Sequence, residues 1–208
     1  MRTLTITMLF LTGIVPIKAA IFSDFGPGSS YSSSGGWAVG LGFAQANMFT
    51  ATTSGIVNQI DVAMTNAGGP GTATVSLWTD VGDLPGVELG SWDVTASQPC
   101  CAGEIVTIPV GSGPSLNSGQ SYFLEISPTD ASTFNIWLNN DQGISGLDLF
   151  SLDGGISWNS TGNQTIGAFD ILGSPSSVPE PATFVLLGCA VICMSSRWRK
   201  RKPEGPVI

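Results

Sequence analysis

Ile60-Asp61-Val62-Ala63-Met64 puts Ile60, Val62 and Met64 on one face of an extended segment, and Ala73-Thr74-Val75-Ser76-Leu77 repeats that period of two. Alternation of this kind marks a β-strand with one buried face. Working outward, Val87-Glu88-Leu89 follows the turn residues Leu84-Pro85-Gly86, and Val106-Thr107-Ile108-Pro109-Val110 reads as a strand whose proline suits an edge or a strand end. Tyr122–Ile126, Phe134–Leu138 and Ile166–Ile171 continue the pattern, and joints rich in Gly, Ser, Thr and Asn separate the segments. Seven or more short strands spaced by roughly 10–15 residues, with no 3.6-residue periodicity, predict an all-β fold. The architecture expected is an antiparallel β-sandwich, jelly-roll-like, with an open barrel as the alternative.

Both ends of the chain break the pattern. Met1-Arg2 followed by the apolar run Leu4–Ile17 and the small pair Ala19-Ala20 predicts a signal peptide over residues 1–20. A Gly/Ser-rich lead-in is expected over 21–44, containing the flexible stretch Gly26–Gly36, and the β-sandwich domain over 45–172. A linker, 173–181, contains Val178-Pro179-Glu180-Pro181, whose prolines keep the backbone extended. An apolar segment, 182–196, spans about 22 Å as a helix at roughly 1.5 Å per residue. It reads as one short transmembrane helix, because the cationic cluster Arg197, Arg199, Lys200, Arg201 and Lys202 follows at once as a membrane stop. Residues 197–208 then form a basic cytoplasmic tail.

These three parts in order, Val178–Pro181, the apolar stretch Ala182–Met194 and the cluster Arg197–Lys202, resemble a PEP-CTERM sorting signal. The resemblance implies a Gram-negative bacterium, an exosortase-type sorting enzyme as partner, and cleavage near Pro179-Glu180-Pro181. It further implies a precursor held at the inner membrane and a body delivered to the cell envelope or an exopolysaccharide matrix. The body in turn looks like a choice-of-anchor domain, on the strength of Leu77-Trp78-Thr79-Asp80 with Leu84-Pro85-Gly86, Ser118–Leu124 and Gly154-Gly155-Ile156-Ser157-Trp158. That likeness implies a β-sandwich and supplies no activity.

Charge narrows the function. Between Ile21 and Glu180 there are fourteen acidic residues and no Lys, Arg or His. Nucleic acid is excluded as a partner, because phosphate recognition runs on cations. Without His, Lys or Arg the body cannot build Ser–His, Cys–His or Ser–Lys nucleophile pairs, nor a phosphoryl clamp. The chain is therefore expected to be a non-enzymatic surface or matrix protein. A carboxylate-dependent glycoside hydrolase is a distant alternative, with Asp80, Asp83, Glu88, Glu104 and Glu125 as the acids to draw on.

Three local features are candidate sites. Trp137 lies on the strand face opposite Phe134, Ile136 and Leu138, which leaves two readings: an exposed indole, or an indole used in the core or as a loop anchor, the use that two-layer packing favours. With Trp158 it makes a candidate ligand platform for a carbohydrate-binding module acting on exopolysaccharide. Asp80-Val81-Gly82-Asp83 offers two carboxylates in one tight loop, a candidate calcium site at Asp80 and Asp83 against the alternative of turn capping; no other cofactor is expected. Of four cysteines, Cys189 and Cys193 lie in the tail, and Cys100-Cys101 are adjacent. The adjacent pair either closes a vicinal bridge, pairs with another chain or stays as thiols; no intrachain framework is available to it.

Overall fold

The computed structural model describes residues 19–175. Most of the expected signal peptide, the motif Val178–Pro181, the segment 182–196, the basic tail and Cys189 and Cys193 lie outside the described residues. The described residues form thirteen strands: β1 (Ala19–Ser23), β2 (Gly36–Gly40), β3 (Ala44–Thr50), β4 (Gly55–Gly68), β5 (Thr72–Asp80), β6 (Pro85–Thr95), β7 (Glu104–Pro109), β8 (Ser115–Leu116), β9 (Ser121–Pro128), β10 (Phe134–Leu138), β11 (Ser145–Ser151), β12 (Asn159–Thr165) and β13 (Phe169–Pro175). No helix occurs among them.

Two antiparallel sheets result. The first runs β1-β13-β4-β10-β2, with β7 and β8 also paired to β4; the second runs β12-β11-β3-β9-β5-β6. Strand β4 organises the first sheet because it is long enough to serve several partners. Ile60 pairs Ile171 of β13 and Ile108 of β7, so those strands lie on opposite flanks of β4. Beyond Val62, β10 replaces β13, with Trp137 opposite Met64.

The sheets bury one shared core. Ile60, Val62 and Met64 point inward as their alternation requires, joined by Trp137, Phe169 and Ile171. From the second sheet, Phe49, Val75, Leu77, Leu124 and Ile126 enter the same cluster. Phe22 and Phe169 stack with ring centroids 4.8 Å apart, and Trp137 packs on Phe169 at 5.7 Å. Burial on this scale is the main force for folding, at about 25 cal/mol per Å² of apolar surface removed from water.

Each sheet also covers part of its outer face. On the first, Ala63, Leu138 and Ala168 are buried beneath Phe25 and Tyr31, which come from the segment leading to β2. The lead-in 21–44 thus contributes β2, most of β1 and this cover, rather than only a flexible arm. On the second, Ala46, Phe123 and Leu149 are buried with Met48, Trp78, Leu147 and Trp158 packed against them.

Trp137 takes the core alternative and not the platform one. It is 0% exposed, and its indole N–H donates to the Ala168 carbonyl at 3.2 Å. The alternation in β10 is as read: Asn135 and Trp137 face the second sheet, while Ile136 and Leu138 face the cover at Tyr31 and Phe25. Gly167 makes room for the indole, since a Cβ there would fall 2.3 Å from the Trp137 ring. Trp137 is therefore core and cannot serve as a ligand platform.

Candidate functional site

The outer face of the second sheet gathers the remaining site candidates. In β9, Tyr122, Leu124 and Ile126 enter the core, so Phe123 and Glu125 must point outward. Register sets their neighbours: Phe123 lies between Met48 and Trp78, and Glu125 between Ala46 and Ser76. Trp78 in turn pairs Glu88 of β6. An apolar outer face of this kind needs a cover, and the connection between β11 and β12 supplies it.

That connection is tied into shape by one carboxylate. Asp153 accepts from the Ser151 hydroxyl at 2.6 Å, from the Ser157 amide at 2.9 Å and from the Ser157 hydroxyl at 2.6 Å. These bonds, the Ser151 hydroxyl first, hold the Asp153 carboxyl down to about 2, so it is ionised at every ordinary pH. The Gly155 amide donates to the Ser151 hydroxyl at 2.8 Å, and Gly154 donates to the Gly42 carbonyl at 2.9 Å. Gly155 then lies over Glu125: its φ is +97°, and a Cβ there would sit 2.7 Å from Glu125 Oε1. Only glycine meets both demands without strain.

Glu125 is 4% exposed although it stands on an outer sheet face. Burial pushes its carboxyl up to about 7; the Ser127 hydroxyl and the Trp78 indole draw it partly back, and Glu88 raises it further. The Trp78 N–H is itself buried and does not reach full hydrogen-bond geometry with any partner. The result is a carboxyl poised near neutrality, flanked by two half-buried tryptophans, Trp78 and Trp158. Beneath Gly155 that carboxyl is closed off from solvent, so the part of this face open to a stacked ligand is the two partly exposed indoles. Of the two tryptophans expected to make a platform, the structure leaves Trp158 available and brings it beside Trp78 and Glu125. The alternation of β9 and β5 held the signal for Glu125 and Trp78, but only the register shows that they share a face.

The other carboxylates are structural in kind. Asp80 Oδ1 accepts from the Asp83 amide at 3.0 Å, and Val81 donates to the Leu84 carbonyl at 2.9 Å, so Asp80 caps the β5–β6 hairpin turn. Asp83 holds a φ of 64°, which the turn requires. Among the described residues no group of three or more His, Cys, Asp or Glu side chains gathers in metal-binding geometry. Asp148 is fully buried between the sheets, where it accepts from Asn47 at 2.6 Å and from Thr161 at 2.7 Å. Asp24 is 1% exposed and accepts from the Phe169 amide at 2.6 Å, while its second oxygen has no partner. Burial raises the Asp24 carboxyl to about 8, and nearby Asp170 and Asp141 reinforce that rise against the Phe169 bond.

Cys100 and Cys101 are joined to each other by a disulfide. Both residues are exposed, in a loop whose ends are clamped by Glu104, which accepts from the Ser97 and Gln98 amides.

The described body is of one class, an all-β sandwich whose candidate ligand face carries no cation. The chain beyond it carries the more specific mark: residues 177–202 match the PEP-CTERM protein-sorting motif. No curated protein matches the chain. The motif implies an exported protein that is anchored in a membrane before cleavage and is processed by an exosortase.

Proposed function

We propose that the protein is a non-enzymatic component of the cell surface or extracellular matrix, in which the β-sandwich is the cargo and the tail its transient anchor. The observation that carries this reading is the sorting motif at 177–202, which begins two residues after β13 ends at Pro175. In sequence, the proline-bearing motif Val178–Pro181 comes between the body and the apolar run, and prolines there disfavour helix, as suits a segment that a transpeptidase engages. The acidic, cation-free body favours solubility after release. Replacing Pro179 and Glu180 by Ala in the native host tests the assignment: the full-length precursor should accumulate in the membrane fraction and released body should disappear. Unchanged release would overturn it.

A second reading, carbohydrate binding by the sorted body, draws its support from the partly exposed Trp78 and Trp158, which pack against one outer sheet face. Neutral hydroxylated rings stack on indole. A glycan array read with wild type, Trp158→Ala and Trp78→Ala tests it. Saturable binding lost in both variants supports the module; binding absent in wild type, or unchanged in the variants, rules this face out.

A further inference from the structure

The Cys100–Cys101 disulfide does not staple anything. A bridge stabilises chiefly by closing a loop in the unfolded chain, and here the sequence separation is one. The loop that carries it is fastened by other means. Asn66 donates to the Gln98 carbonyl at 2.8 Å, Cys100 donates to the Asn66 carbonyl at 2.7 Å, and the Thr65 hydroxyl donates to the Gln98 carbonyl at 3.2 Å. Glu104 holds the ends, accepting from Ser97 and Gln98. Below, Gly103 packs close to Leu138 and Tyr31. Removing the sulfur–sulfur bond therefore leaves every one of these fastenings in place.

The bridge is also reachable. Both cysteines are exposed, and Cys101 forms part of the wall of a groove of about 280 Å³, together with Ser33, Ser34, Gly36, Ile136 and Leu138. An exposed bridge that supports no fold belongs with the labile disulfides that exchange, rather than with the resistant ones of a structural core. These are also the only cysteines among the described residues, so once an external thiol has opened the pair at Cys101, the freed Cys100 thiol beside it is the group that can re-close the bridge and expel the newcomer.

We propose that Cys100–Cys101 is a thiol-exchange site, at which an external thiol becomes reversibly and covalently attached to the surface of the body. The thiolate of the incoming molecule attacks Sγ of Cys101, a new sulfur–sulfur bond forms, and the Cys100–Cys101 bond breaks. The electron pair leaves on Cys100 Sγ, which takes a proton from water. A second external thiolate attacks the incoming molecule's sulfur in the mixed disulfide, which releases Cys101 and yields the external disulfide and the reduced pair. Two external thiols are oxidised as one protein disulfide is reduced. The described residues carry acids and no cations, so an uncharged thiol reacts faster than an anionic one of similar basicity. This site is independent of the sorting reading except that an oxidising compartment keeps the bridge closed.

The test uses the full chain in detergent, under native conditions, with 2-mercaptoethanol as the neutral thiol and glutathione as the anionic one. Products are trapped with N-ethylmaleimide and mapped by peptide mass spectrometry, which separates Cys100 and Cys101 from Cys189 and Cys193. Exchange at Cys101 with alkylation at Cys100 is expected, with the larger rate per unit of thiolate for the neutral thiol. The melting temperature of the reduced protein, and of the Cys100→Ser/Cys101→Ser double variant, should stay within about 3 °C of the oxidised form. A bridge that yields only after unfolding, a larger fall in melting temperature, or a double variant that fails to fold would each overturn the proposal.

Discussion

Replacing Asp24 by Asn removes a single ionisation from the edge of the core, and the consequence can be worked out in sign and size. The Asp24 carboxyl titrates at about 8 in the folded protein and at 3.8 when solvated. Between those values the folded chain keeps a proton that the unfolded chain has released, so stability falls as pH rises through this window. Over the two pH units from 5 to 7, one retained proton at about 1.36 kcal/mol per pH unit costs the wild type about 2–3 kcal/mol. Glu125, raised from 4.5 to about 7, adds a smaller loss in the same direction. In the Asn variant, Oδ1 still accepts from the Phe169 amide, and the titration is gone. Urea unfolding at pH 5, 6 and 7 should show wild type losing stability across the series, and Asp24→Asn losing about 2–3 kcal/mol less. Parallel pH profiles for the two proteins would refute the reasoning, because they would mean that Asp24 is ionised within the fold.

Further outcomes follow from the same packing. Trp137→Ala should cost about 3–5 kcal/mol in urea unfolding, as expected for deleting a fully buried aromatic side chain; a loss below about 1 kcal/mol would contradict its placement in the core. Gly167→Ala, whose Cβ would press on the same indole, should lower the melting temperature by several degrees, and no change would show that the indole sits elsewhere. Gly155→Ala should loosen the cover over Glu125, because its Cβ would meet Oε1 at 2.7 Å. A red shift in tryptophan emission, as Trp78 and Trp158 gain water, is the readout. An unaltered spectrum together with an unaltered melting temperature would count against that cover.

How far the sequence alone reached can be judged strand by strand. Ile60, Val62 and Met64, and likewise Val75 with Leu77, were legible because a sandwich core demands period two, and all lie in the shared cluster. Strand β12 was not legible: Asn159-Ser160-Thr161-Gly162-Asn163-Gln164-Thr165 has no apolar face because it is an edge strand with little to bury. In β10 the alternation was legible and the choice between its two sides was not. Deciding them requires knowing that Phe25 and Tyr31 fold back across the first sheet, a long-range fact that periodicity does not carry. The same limit hid Glu125 and Trp78, whose common face depends on the register of β9 with β5. Trp158 was singled out from composition, and its neighbours became evident only through the loop that Asp153 ties down. The sorting motif was readable because its signal is linear in sequence: prolines, apolar run, cations.

The central claim is that this chain is cut at its tail and the sandwich is set free. Intact-mass and C-terminal peptide analysis of material recovered from the cell surface tests it most directly. A mature C-terminus near Pro179–Pro181 is the predicted result; recovery of surface protein still ending at Ile208 would contradict it.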